Sequence, residues 1–151
     1  DETLNIISDL TTQEKEILSN FKYRKNKAVI HSDESSMPKN RKAWCSWNSS
    51  LNPKNNQQSS VTYWLNQLQN LKVDKNIFLT INPFFNINPD LIYNTIDFTH
   101  PYYDQKALEN QSKLRSIQNI NNTLYAGSYF GYGFHEDGIK SSIEMLKTLN
   151  D

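Results

Sequence analysis

Tyr125-Ala126-Gly127-Ser128-Tyr129-Phe130-Gly131-Tyr132-Gly133-Phe134-His135-Glu136-Asp137-Gly138 holds all four glycines of a 151-residue chain. Glycine is required where the backbone takes positive φ or where another group must approach it closely. A chain with no other glycine has therefore gathered that freedom into twelve residues. Leu124-Tyr125-Ala126 in front reads as a short strand. Behind, Ile139, Ile143, Leu146 and Leu149 fall on one face of a helix expected from Asp137 onward. A helix N-terminus presents unpaired N–H groups and the positive end of a dipole, which suits a phosphate or an electron-rich carbonyl. Glu136 and Asp137 would repel a phosphate, so a neutral or hydroxyl-bearing part of a ligand fits better. A tight turn with nothing bound stands as the equal alternative. A P-loop is excluded, because no Gly-Lys-Ser/Thr is present.

Working back toward the N-terminus, Thr11 and Glu14 have capping-box spacing, and Ile17, Leu18 and Phe21 supply an apolar stripe, which predicts a helix over 12–20. Lys22 to Ser32 reads as a strand and Ser32 to Lys42, with Pro38, as a loop. Ala43 to Trp47 and Val61 to Leu65 predict an antiparallel hairpin with a long Asn/Gln/Ser loop. Residues 77–82 and 91–98 add two strands, and Ala107, Leu108, Leu114 and Ile117 predict a helix near 104–118. The expected class is α+β: a mixed or antiparallel sheet with helices, ending in strand, glycine-rich turn and helix.

Sixteen Lys+Arg balance sixteen Asp+Glu, so no global field favours a polyanion, and nucleic acid is not expected as a partner. No apolar run is long enough to span a bilayer and the first residues do not read as a signal peptide, so a cytoplasmic location is expected. The single cysteine, Cys45, cannot form an internal disulfide. Frequent asparagine and the excess of lysine over arginine read as a codon effect without chemical meaning.

The glycine-rich segment resembles the C-terminal flavin-binding segment of the amine-oxidase-like FAD-dependent oxidoreductases, and within them a bacterial group described as predicted NAD/FAD-binding proteins. The resemblance runs upstream through Tyr23 to Asp33, Met37-Pro38, Ala43 to Asn48, Val61 to Asn66 with Leu68-Gln69, Asn82-Pro83, and His100-Pro101 with Asp104 and Gln111. In that superfamily the N-terminal part holds the ADP half of FAD on a G-x-G-x-x-G turn, and the chain returns at its C-terminus to close over the flavin. No such N-terminal motif is present. The resemblance therefore implies that residues 1–120 are the later part of a substrate domain and 121–151 the return to the FAD-binding domain. The missing Rossmann-type part would be the partner, and the isolated chain would be inactive.

What the resemblance implies for residues is specific. Gly127 would let the strand end pass the cofactor, with Ser128, Gly133 and Phe134 in the same turn, and Gly138 would open the final helix. Glu136 and Asp137 would place backbone N–H groups near the flavin pyrimidine carbonyl, where the dipole stabilises the negative charge of reduced flavin. His135 falls where related enzymes place an aromatic flanking the substrate, and Asn26 and Lys27 fall near a lysine facing flavin N5. These three are the catalytic candidates. The substrate implied is a small molecule, with an unsaturated or modified acyl chain first and an amine second; contact with a membrane surface has no support in the sequence.

Other candidates read as structural. His31 with Asp33 and His100 with Asp104 offer too few ligands for a metal, so no metal site is expected. Cys45 between Trp44 and Trp47 reads as a packed thiol. Trp44, Trp47, Tyr63 and Trp64 permit a second class of function, an aromatic-rich β module binding carbohydrate or peptide.

Overall fold

The computed structural model describes residues 3–149, and they form a mixed α+β structure with one five-stranded sheet. The chain divides into two compact units, one ending at Arg24 and resuming at His100, the other spanning Lys25–Thr99. In chain order the elements are α1 (Thr3–Ile6), α2 (Thr12–Leu18), β1 (Lys22–His31), β2 (Trp47–Asn52), β3 (Asn55–Trp64), α3 (Leu65–Leu68), β4 (Phe78–Ile81), β5 (Ile92–Tyr102), α4 (Gln105–Gln111) and α5 (His135–Lys147). Short 3-10 turns punctuate them, the longest over Ser112–Ile117.

The sheet has the order β2-β3-β4-β1-β5, and the pairs β2–β3, β3–β4 and β4–β1 are antiparallel. Register puts His31 opposite Phe78 and Phe78 opposite Trp64, with Val29, Thr80 and Thr62 in the next row. That face is buried: Phe78, Thr80 and His31 are fully inaccessible, and Trp44 packs edge-on against both Trp64 and Phe78. The opposite face carries Ile30, Leu79, Tyr63 and Trp47 in one cross-strand row, grading from half-buried to the exposed Trp47.

Polar groups on the buried face form a closed chain. His31 Nδ1 accepts the Asp33 N–H at 3.1 Å, so the ring proton sits on Nε2 and donates to Thr80 Oγ1 at 2.8 Å. Thr80 in turn meets Thr62 Oγ1 at 2.9 Å. Burial, opposed by the nearby Asp33 carboxylate, holds His31 below the ordinary histidine value.

The expected long hairpin loop does not exist. Asn52 faces Asn55, so β2 and β3 continue through the Asn/Gln/Ser stretch to a tight turn at Pro53-Lys54. Low β-propensity is overridden by side-chain amides that support the turn, Asn52 Oδ1 accepting the Lys54 N–H and Asn52 Nδ2 donating to Gln58. The distal end of this hairpin, Asn55–Ser59, is exposed on both faces.

The first unit is built on α2, α4 and the 3-10 turn after it. Leu10, Ile17, Leu18, Phe21, Ala107, Leu114, Ile117 and Tyr125 form its core. The capping box is present as expected: Glu14 N donates to Thr11 Oγ1, while Thr11 N and Oγ1 both reach Glu14 Oε2 at 2.7 Å. Glu14 is only 2% exposed, and its other oxygen accepts the Tyr125 hydroxyl at 2.7 Å. The helix expected over 104–118 is α-helical only to Gln111. Beyond it Leu114 and Ile117 are both buried at a spacing of three, which the 3-10 turn places on one side.

No strand forms at Leu124–Ala126. Tyr125 instead pairs with a side chain, its N–H donating to Gln118 Oε1 and its carbonyl accepting from Gln118 Nε2. A single amide thus supplies the two hydrogen bonds that a neighbouring strand would give. Asparagine also has a structural use that its abundance concealed: Asn70, Asn82, Asn119, Asn121 and Asn122 all take left-handed φ between 49° and 61°. They hold conformations usually given to glycine. The freedom expected only at residues 127–138 is therefore spread along the chain. Among the described residues no helix is long and apolar enough to cross a membrane.

Candidate functional site

The glycine-rich segment lies in the first unit and is clipped in place by side chains. Gly127 N–H donates to Ser141 Oγ at 2.9 Å, and Ser141 donates its proton to the Gly138 carbonyl at 2.7 Å. From the end of α4, Gln111 Nε2 donates to the carbonyls of Tyr129 (3.1 Å) and Gly131 (2.5 Å). Asp137 Oδ2 accepts the N–H groups of Tyr132 and Phe134, both at 3.0 Å. A 3-10 turn over Ser128–Phe130 follows, and Tyr129 packs on Phe21 and Phe130. Burial, then Tyr23, pushes the Tyr129 hydroxyl up to about 12.

The glycines differ in what they make room for. A Cβ on Gly127 would lie 2.6 Å from the Tyr129 ring, one on Gly131 would strike the Asp137 carboxylate, and one on Gly133, where φ is +93°, would sit 3.0 Å from the Tyr103 hydroxyl. These three give space to the chain's own side chains. Gly138 is different: a Cβ there would meet only Ser128 N, at 3.8 Å.

The head of α5 begins at His135, two residues before the expected start, with Phe134 as N-cap. The N–H of Asp137 and that of Gly138 both turn back to the Phe134 carbonyl. Among the described residues the first-turn donors without a partner are therefore those of His135 and Glu136, one residue earlier than the expected Glu136 and Asp137 pair. The two carboxylates expected to repel an anion have local counterparts, Asp137 in the two loop amides and Glu136 in Lys140 at 3.8 Å. His135 and Phe134 are exposed, the latter at 68%.

Asn26 and Lys27 lie in the other unit, on β1, where they border a hollow of about 500 Å³ with Lys25, Asn82, Asp97, Phe98 and Thr99. Asn82, in its left-handed turn, exchanges hydrogen bonds with the Lys27 backbone (2.9 and 2.8 Å) and donates to Asn26 Oδ1 at 2.6 Å. Gly127 through Gly138 thus gather around one turn of the first unit, and Asn26 and Lys27 lie side by side in the second.

Sequence reasoning missed Ser141 as a site residue and had no role for Gln111, Tyr103 or Asn82. Serine inside a helix and glutamine at a helix end are ordinary, and only the partners give them meaning. Cys45 is exposed, not packed, and among the described residues no cluster of His, Cys, Asp or Glu could hold a metal ion. Ile139, Ile143, Leu146 and Leu149, expected on one helix face, are 52–57% exposed. No protein-family model and no curated protein matches the chain.

Proposed function

We propose that this chain is the C-terminal portion of an FAD-dependent oxidoreductase of the amine-oxidase-like superfamily, with 1–120 from the substrate domain and 121–151 from the FAD-binding domain. The observation that carries the reading is the head of α5. Among the described residues no partner claims the backbone donors of His135 and Glu136, the adjacent carboxylate of Asp137 is engaged by its own loop, and a Cβ on Gly138 would touch only Ser128 N, at 3.8 Å. That set fits an electron-rich carbonyl such as the flavin pyrimidine oxygen, and it fits a phosphate less well because Glu136 and Asp137 keep their charges close by.

FAD, when bound, supplies hydride acceptance or donation. The chain's own contribution is orientation and electrostatics: Gly127, Ser128, Gly133 and Phe134 shape the turn, and the α5 dipole with its unclaimed amides favours negative charge at the carbonyl. His135 would flank the substrate, and Asn26 and Lys27 remain candidates for the reacting side. The exposed apolar face of α5 supports the same reading, since a helix of a doubly wound domain lays such a face on a sheet. The substrate we propose is a small molecule, an unsaturated or modified acyl chain before an amine.

The test is to express the whole reading frame that contains this segment and to analyse the purified protein for flavin. A yellow protein that releases FAD on denaturation is expected. A colourless protein that takes up no added FAD would refute the reading. A second reading, a carbohydrate or peptide-binding β module, is favoured by one observation: Trp47, 65% exposed, stands edge-on to Tyr63 at 5.7 Å on the open sheet face. Tryptophan quenching by added oligosaccharide without any flavin would support it.

A further inference from the structure

We infer that Ser141, with Gln111, is a positioning residue that sets the shape of the flavin cradle; the inference rests on the flavoprotein reading above. Gly127 ends the extended segment and Gly138 belongs to the first turn of α5, and among the described residues no backbone hydrogen bond joins one directly to the other. The Ser141 hydroxyl does. It is 5% exposed, gives its proton to the Gly138 carbonyl three residues back, and so must offer a lone pair to the Gly127 N–H. The hydroxyl has a single orientation, with one donor and one acceptor contact to the two glycines that the cofactor role requires.

Gln111 holds the other side of the same turn. Its amide nitrogen has two protons, and they go to the Tyr129 and Gly131 carbonyls. Between them the two side chains fix the N–H at the start of the turn and the carbonyls at its end, while making no claim on the His135 and Glu136 donors. Neither side chain is needed for helix formation, since alanine is the better helix former at 141. Their hydrogen bonds are spent on loop shape, and a preformed loop binds more tightly than one that must be ordered by its ligand.

The experiment uses the full-length gene product, titrated with FAD and followed by flavin fluorescence, with the thermal midpoint of the apo protein measured in parallel. Ser141→Ala is expected to weaken FAD binding about tenfold and to blur the resolved visible band of the bound flavin, with Ser141→Thr, which keeps the hydroxyl, restoring both. Gln111→Leu, acting from the opposite side, is expected to do the same and serves where Ser141→Ala fails to fold. Wild-type FAD affinity and an unchanged flavin spectrum in Ser141→Ala and Gln111→Leu, with only the thermal midpoint lowered, would show a purely structural role and overturn the inference alone. A wild-type protein that binds no FAD overturns the flavoprotein reading and this role with it.

Discussion

Replacing Tyr125 with phenylalanine removes one oxygen atom and tests how the capping box of α2 anchors the entry to the glycine-rich turn. The hydroxyl donates to Glu14 Oε1 at 2.7 Å, and Thr11 supplies both contacts to Oε2. Glu14 is 2% exposed, so Tyr125→Phe leaves a buried carboxylate oxygen without a partner. A hydrogen bond to a charged group contributes about 1.5–3 kcal/mol, so a loss of about 2 kcal/mol is expected at pH 7. Burial pushes the Glu14 carboxyl up, but the bonds from Thr11 and Tyr125 outweigh it and hold the group below its ordinary value of 4.5. Its folded value being depressed, its contribution is fully present above 4.5 and is lost as pH falls through the folded value. Once Glu14 is protonated the Tyr125 bond is one between neutral groups, and the difference between variant and wild type should shrink to about 1 kcal/mol. Urea unfolding followed by far-UV circular dichroism is the suitable assay, because Trp44, Trp47 and Trp64 all lie in the second unit. A loss below about 0.5 kcal/mol at pH 7, or one that does not shrink once Glu14 is protonated, would refute the argument.

Three further outcomes follow from named contacts. Gly133→Ala, at φ +93° and with its Cβ against Tyr103, should cost about 1–3 kcal/mol and raise amide exchange over 127–134 in hydrogen-exchange mass spectrometry. For His31, whose folded value burial depresses below 6.5, the unfolded chain binds the proton first. Stability is then complete above 6.5 and declines as pH falls below it, which tryptophan-monitored unfolding at pH 7.5 and 5.0 would show; a ring that titrates near 6.5 by NMR would contradict it. Ile143→Lys, on the exposed face of α5, should change the stability of the 151-residue chain by no more than about 0.5 kcal/mol. In a full-length protein that covers this face it should cost about 1.5–3 kcal/mol, and an equal small effect in both would argue against such a cover.

The parts of the fold that were legible are those set by local chemistry. Thr11 and Glu14 announce a capping box and form one, and the strands expected over 22–32, 77–82 and 91–98 form at Lys22–His31, Phe78–Ile81 and Ile92–Tyr102. What escaped depended on partners distant in sequence. The polar residues 48–52 and 55–60 are strands because the ladder continues through them, and Leu124–Ala126 is not a strand because Gln118 takes the place of a neighbour. At the candidate site the glycine cluster was visible, but its division of labour was not. Whether a missing Cβ makes room for Tyr129, Tyr103 or Asp137 is decided by side chains that sequence spacing cannot place. The asparagines were misread for the same reason, since a left-handed φ leaves no trace in composition.

The outer half of the β2–β3 hairpin has a consequence for how the chain can be cut. Asn55–Ser59 is exposed on both faces, so it buries no apolar surface and can open without disturbing Phe78 or His31. Lys54 sits at the turn itself, within reach of trypsin, whereas Val61 to Trp64 remain laddered to β4. A single cut there would give two polypeptides, ending at Lys54 and beginning at Asn55, that stay associated through the β4 ladder. The same site offers new termini, since chains rejoined elsewhere and opened at Pro53-Lys54 would keep every strand pair inward of Leu51.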